Sequence, residues 1–217
     1  MNKEKRYMRV SKSAQRTFLV LLLVFWWANP VSAHAPFLET EDFSAESPFE
    51  IAGSIEKSLA IYAYLEHASD SDVYSFVTEG SERIYVSVLV PLCAEYEQFT
   101  PTFTLVGPGL ESSGAQPPFA VPEGYGAVTV EQADAAKDRE TFYEPFSVKT
   151  YYRGPRYTMD NGEPGTWYIV YWDRAGRTGD YVAVVGFLEA FSLADILRTF
   201  YILPILWFDG ELHVDCR

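Results

Sequence analysis

Three histidines, two cysteines and one close group of carboxylates are the residues of this chain whose types and positions bear on chemistry. His34 directly follows Asn29-Pro30-Val31-Ser32-Ala33. A cut after Ala33 has small side chains at its −3 and −1 positions and makes His34 the first residue of the product. A free N-terminal amine and an imidazole nitrogen chelate one cation in a compact ring, and copper(II) favours such nitrogen donors in a tetragonal set. A second imidazole would complete the set. His67 and His213 are available, and His67, at a predicted strand end, is the one expected. The other reading leaves His34 in an exposed leader, which Pro36 and the acidic Glu39, Glu41 and Asp42 suit.

Glu66, Asp70 and Asp72 place three carboxylates within seven residues at a predicted strand-to-strand turn. Hard oxygen ligands so placed suit Ca²⁺, which takes 6–8 oxygens at about 2.3–2.6 Å. The alternative is a solvated Asp/Ser turn whose side chains bond to their own backbone. Cys93 and Cys216 are an even count, so they form one disulfide in an oxidising compartment or remain two thiols. Gly-x-Ser-x-Gly, His-Glu-x-x-His and Cys-x-x-Cys patterns are absent from the sequence. Gly107-Pro108-Gly109 lacks the Lys-Ser/Thr of a phosphate loop. The expectation is a protein that is not an enzyme and requires no cofactor.

The first 33 residues say where such chemistry would take place. Lys3, Lys5, Arg6, Arg9, Lys12 and Arg16 precede an apolar run of 11 residues, Phe18 to Ala28. That run is shorter than the ~20 residues of a spanning helix and has the layout of a cleaved secretory signal. The full chain carries a net charge of −13; beyond Ala33, 11 basic residues face 29 acidic ones, a charge of −18. A surface so negative repels phosphate backbones and anionic lipid, which argues against nucleic acid as a partner.

The elements that would position these residues read as strands. Ser58 to His67 alternates, with Ile61, Ala63 and Leu65 on one face. Val73 to Val77, Arg83 to Val90 and Thr102 to Val106 follow, and Thr166 to Trp172 with Asp180 to Phe187 reads as a hairpin. Period-two alternation with β-branched and aromatic residues marks half-buried strands. Ile61, Leu65, Val86, Val88, Ile169 and Val184 are the expected inner-face residues. Nine Gly or Pro residues between Gly107 and Gly126 predict a long irregular connection, either a cover over a sheet edge or a contact surface. Ser192 and Asp195 have the spacing of a capping box. Leu193, Ile196, Leu197, Phe200 and Tyr201 then recur at helical spacing, with Pro204 expected to disrupt continuation. The stretch 193–208 reads as a helix packed on the sheets, or as a face for a membrane or partner. The expected divisions are a signal at 1–33, a leader at 34–47, a β-sandwich at 48–190 and a helical tail at 191–217.

Asp72-Val73-Tyr74-Ser75-Phe76, preceded by Ile61-Tyr62-Ala63-Tyr64-Leu65-Glu66, resembles the opening of the bacterial pre-peptidase C-terminal family. Gly165-Thr166-Trp167-Tyr168-Ile169-Val170 and Thr178-Gly179-Asp180-Tyr181-Val182 resemble its closing hairpin, and the resemblance adds Phe76 to the expected inner-face residues. The resemblance spans about Ser58 to Val185. It implies an all-β, antiparallel jelly-roll-type sandwich without catalytic activity, here with a short C-terminal helix added. The expected function is that of an exported binding or accessory protein of the cell envelope, with a protein or glycan partner. Copper binding through His34, or docking of the tail to a membrane, are the alternatives.

Overall fold

The structure, a computed structural model, describes residues 34–132 and 138–216. The signal expected at 1–33 lies outside the described residues. Two sheets face each other. The first has six strands in the order β1 (Ala35–Leu38), β3 (Leu59–Leu65), β11 (Gly179–Val185), β5 (Glu82–Pro91), β9 (Lys149–Gly162) and β8 (Thr141–Glu144). The second has five, β2 (Phe49–Glu50), β4 (Ser71–Thr78), β10 (Gly165–Trp172), β6 (Thr102–Pro108) and β7 (Tyr125–Val130). The sandwich expected from the sequence is thus the architecture observed. Pairing is antiparallel except at β1–β3 and β2–β4, which are parallel.

Alternation decides which side chains meet between the sheets. Leu59, Ile61, Ala63 and Leu65 of β3 join Tyr74 and Phe76 of β4, Ile84, Val86, Val88 and Val90 of β5, and Trp167, Ile169 and Tyr171 of β10 in the main core. The opposite face of the first sheet carries Ala60, Tyr62, Leu89, Val182 and Val184, and these form a second core under the C-terminal helix. Val184 is therefore buried on the helix side, and the residues of β11 between the sheets are Tyr181, Ala183 and Val185.

Several sequence expectations change. β10 and β11 are not a hairpin: β10 pairs with β4 and β6, whereas β11 pairs with β3 and β5 in the other sheet. The Asp173 carboxylate accepts from the amides of Ala175 and Arg177 and closes the turn by which the chain changes sheet. The segment expected as a leader contributes β1 and the buried Phe43. The irregular stretch is shorter than expected, because β6 runs to Pro108 and β7 begins at Tyr125. β8 and β9 had no alternating signature. In β9, Gly154 and Pro155 bulge opposite Val88, between the Ser87–Arg156 and Leu89–Arg153 pairs. A Cβ at Gly154 would overlap the Val88 side chain, so glycine permits the strands to approach there.

The helix α1 (Leu193–Trp207) begins with the expected capping box, Ser192 accepting from the Asp195 amide and Asp195 accepting from the Ser192 amide. It continues through Pro204. That ring lies on the exposed side, where water can serve the carbonyl left without a helical donor. The buried residues of α1 are Asp195, Ile202 and Leu206. The apolar stripe legible in the sequence faces outward instead. Cys93 and Cys216 are joined as a disulfide with Cα atoms 4.9 Å apart, fastening the tail to the end of β5.

Candidate functional site

The densest chemistry lies at the end of the sandwich where residues 39–43 cross from one sheet to the other. The Glu39 amide bonds the Tyr62 carbonyl at 2.8 Å, and the Phe43 carbonyl accepts from the Val73 amide at 2.5 Å. This strap passes the start of β4, where strand parity turns Asp72 the same way as Tyr74 and Phe76. Asp72 is wholly buried. Its Oδ2 accepts from the Tyr181 hydroxyl at 2.5 Å, and that hydroxyl lies 3.1 Å from the hydroxyl of Tyr74. Its Oδ1 has no hydrogen-bond partner. Glu39 is similarly half-satisfied: Oε2 accepts from the Tyr64 amide at 2.7 Å, while Oε1 is buried without a partner.

Ligand oxygens of Glu39, Asp42 and Asp72 all lie within 4.8 Å of one another. Burial, with the Glu39 charge added, pushes the Asp72 carboxyl up to about 9. Burial raises Glu39 to about 7 against the opposing bond from the Tyr64 amide. Asp42, the exposed member, is raised by desolvation and by the charges of Asp70 and Glu66. Three carboxyl groups held together without a basic group among them keep protons well above the usual carboxylate range.

Glu39 and Asp42 line a cavity of about 330 Å³, whose opposite wall comes from Glu211 and His213 of the tail. Asp180 holds that wall: it accepts from the His213 amide at 2.8 Å and pairs with His213 Nδ1 at 2.6 Å. Tyr96 donates to the same carboxylate at 2.5 Å, and the His213 ring stacks on Tyr64 with centroids 3.8 Å apart. Burial pushes Glu211 up to about 7, although Lys149 Nζ lies 3.5 Å away. A second cavity, of about 310 Å³, lies at the β5–β9 bulge among Arg153, Arg156, Glu131 and Glu140. Its charges are of both signs, so it offers no comparable concentration.

The structure regroups the residues singled out in the sequence. Of Glu66, Asp70 and Asp72, only Asp72 enters the three-carboxylate group. Asp70 instead accepts from the Glu66 amide at 2.5 Å, lies 3.7 Å from His67 Nδ1 and is buried rather than solvated. His34 and His67 are not brought together. His34 Nδ1 bonds the Ser58 hydroxyl before the start of β3, whereas His67 lies beyond its end. At ~3.3 Å per residue that separation is roughly 25–30 Å, too far for one ion. His213 is on Asp180, remote in the chain from either. Glu39 and Asp42, which suit an exposed acidic leader in the sequence, are the two members of the carboxylate group that sequence reasoning missed. Their acidity was visible, but nothing local indicates that β1 carries them onto Asp72.

Fold and site together define a β-sandwich with an acidic pocket at one end. No protein-family model and no curated protein matches the chain. Among solved structures it is similar to the pre-peptidase C-terminal domain of a collagenase from Bacillus anthracis, at 20% identity over 68% of this chain and 98% of that one, with a TM-score of 0.35. It is also similar to PliG from Aeromonas hydrophila, a periplasmic inhibitor of g-type lysozyme, at 11% identity over 70% of this chain and 97% of that one, with a TM-score of 0.36. The pre-peptidase resemblance read from Asp72–Phe76 and the closing strands thus recurs among the neighbours. At these identities and scores, neither neighbour's partner is transferred to this chain.

Proposed function

We propose that the chain is an extracytoplasmic, non-catalytic binding protein whose site holds one hard divalent cation of the calcium class between Glu39, Asp42 and Asp72. The observation that carries this reading is Asp72, wholly buried with one carboxylate oxygen unpartnered and facing two further carboxylates. Leaving such a group charged and unpaired is costly; the ion-free site avoids the cost by holding protons, and a cation that displaces them stabilises the charged form. Two oxygens across one Ca²⁺ stand at most about 5 Å apart, twice the metal–oxygen distance, which the 4.8 Å grouping meets. Mg²⁺ demands stricter octahedral geometry and keeps more of its water, so it suits a half-buried carboxylate set less well.

The signal-type N-terminus and the Cys93–Cys216 disulfide support an extracytoplasmic setting. The absence of hydrolase and zinc signatures from the sequence supports binding over catalysis. Asp42 is exposed, so an ion held there faces the cavity and can take further oxygens from an envelope glycan or protein. Calorimetric titration with CaCl₂ tests the site. One ion per chain is expected, with affinity at least about tenfold weaker in Asp72→Asn and Glu39→Gln and unchanged in Glu66→Gln. No heat of binding at millimolar calcium, or equal affinity in Asp72→Asn with native circular dichroism, overturns the reading.

A further inference from the structure

The outward stripe of α1 is apolar, and at its end Trp207 Nε1 donates to the Phe146 carbonyl at 3.0 Å. Leu193, Leu197, Phe200 and Tyr201 are 72, 63, 71 and 74% exposed, and Phe208, just past the helix, is 82% exposed. Ile196 and Trp207 add 43 and 50%. At 100° per residue these positions, with Pro204, fall within one arc of the helix. No charged residue interrupts it. The charges of α1 are already used on the other side: Asp195 pairs with Lys57 at 2.6 Å and with Arg198 at 3.1 Å, and the Arg198 guanidinium lies over the Phe37 ring.

We infer that this face is the interface of a homodimer, formed by antiparallel packing of α1 on α1 of a second copy. The area fits. At roughly 200 Å² per aromatic side chain, the exposed aromatic surface is about 500–600 Å², and the three aliphatic residues bring it to about 800 Å². That is the share each partner gives to a standard-size interface, and contiguous apolar patches of this size are rare on monomers. A two-fold axis lets one patch be its own complement, and antiparallel helices oppose their dipoles favourably. Asp209, after the C-terminus of α1 and paired with Lys149 of its own chain, then lies toward the N-terminus of its counterpart.

A membrane suits the face less well. Interfacial helices carry several basic residues beside their apolar stripe, whereas the one basic residue of α1, Arg198, is engaged with Asp195 and Phe37, and the chain beyond Ala33 is strongly acidic. Among the described residues no helix is long and apolar enough to cross a bilayer.

Light scattering coupled to gel filtration, from 1 to 100 μM chain, tests the inference. A mass of two chains at the upper concentrations is expected, falling to one chain in Phe200→Glu and in Leu197→Glu. Val77→Glu, placed at an exposed apolar residue of β4, is expected to remain dimeric. All three substitutions are at exposed positions, and melting curves within a few degrees of the parent confirm that each is folded. A mass of one chain throughout overturns the inference, as does a dimer indifferent to Phe200→Glu and Leu197→Glu. Flotation of a monomeric parent with phosphatidylcholine vesicles, lost in Phe200→Glu, would assign the face to lipid instead.

Discussion

Asp72 shows how one residue can be placed by a rule and still be surprising. Period-two alternation puts it on the side of β4 that faces Tyr74 and Phe76, so its burial follows from the strand. Its chemical role follows from Glu39, 33 positions earlier, which no local pattern links to it. The titration behaviour is a direct consequence. Asp72 and Glu39 have folded-state values of about 9 and about 7, against ordinary values of 3.8 and 4.5. Without a cation, the native chain therefore holds more protons than the unfolded chain between about pH 4 and pH 9. Stability from these groups is present below their unfolded values and is lost as pH rises through the folded ones. Urea titrations in chelator at pH 5, 7 and 9 should show the midpoint falling with pH. In Asp72→Asn that fall should be smaller, and at pH 9 the ion-free variant should be no less stable than the parent. A parent midpoint rising from pH 5 to 9 would count against the buried carboxylates. Saturating calcium should raise the pH 9 melting temperature by about 5–10 °C at one hundred times Kd, the shift expected from about 2.7 kcal/mol in a chain of this size.

At the scale of elements, legibility tracked local periodicity. β3 and β5 alternate in the sequence, and these two, with β4 and β6, lie within a few residues of their expected bounds. β9 was invisible because Gly154-Pro155 breaks its pattern, and only the partner strand shows that the break is a bulge. Gly154→Ala should cost about 1–3 kcal/mol in chemical denaturation, the usual range for overfilling a packed position; an unchanged midpoint would mean that β5 and β9 do not approach as described. The β10–β11 error has a similar origin: both strands and the turn were legible, but not that the turn crosses between sheets. For α1 the capping box and the 3.6-residue period were both legible. Which apolar face packs was not, since α1 is apolar on both sides and Ile202 and Leu206 meet a second core that only the outer residues of β3 and β11 reveal.

For the whole molecule, the tail that carries one wall of the cavity is held by the Cys93–Cys216 disulfide, which closes a loop of 123 residues. Chain-entropy reasoning puts the loss on removing such a cross-link at about 3–5 kcal/mol. Cys93→Ser with Cys216→Ser should lower the urea midpoint accordingly, and a midpoint within error of the parent would show the tail to be held by Asp180 and α1 alone. The two sheets, the strap at 39–43 and Asp72 together build the proposed cation site. The most direct measurement is anomalous diffraction from crystals grown with Mn²⁺ as a calcium substitute. One strong peak within about 2.6 Å of carboxylate oxygens of both Glu39 and Asp72 is predicted. Clear density for both side chains with no peak between them, or a peak confined to Glu66 and Asp70, would contradict it.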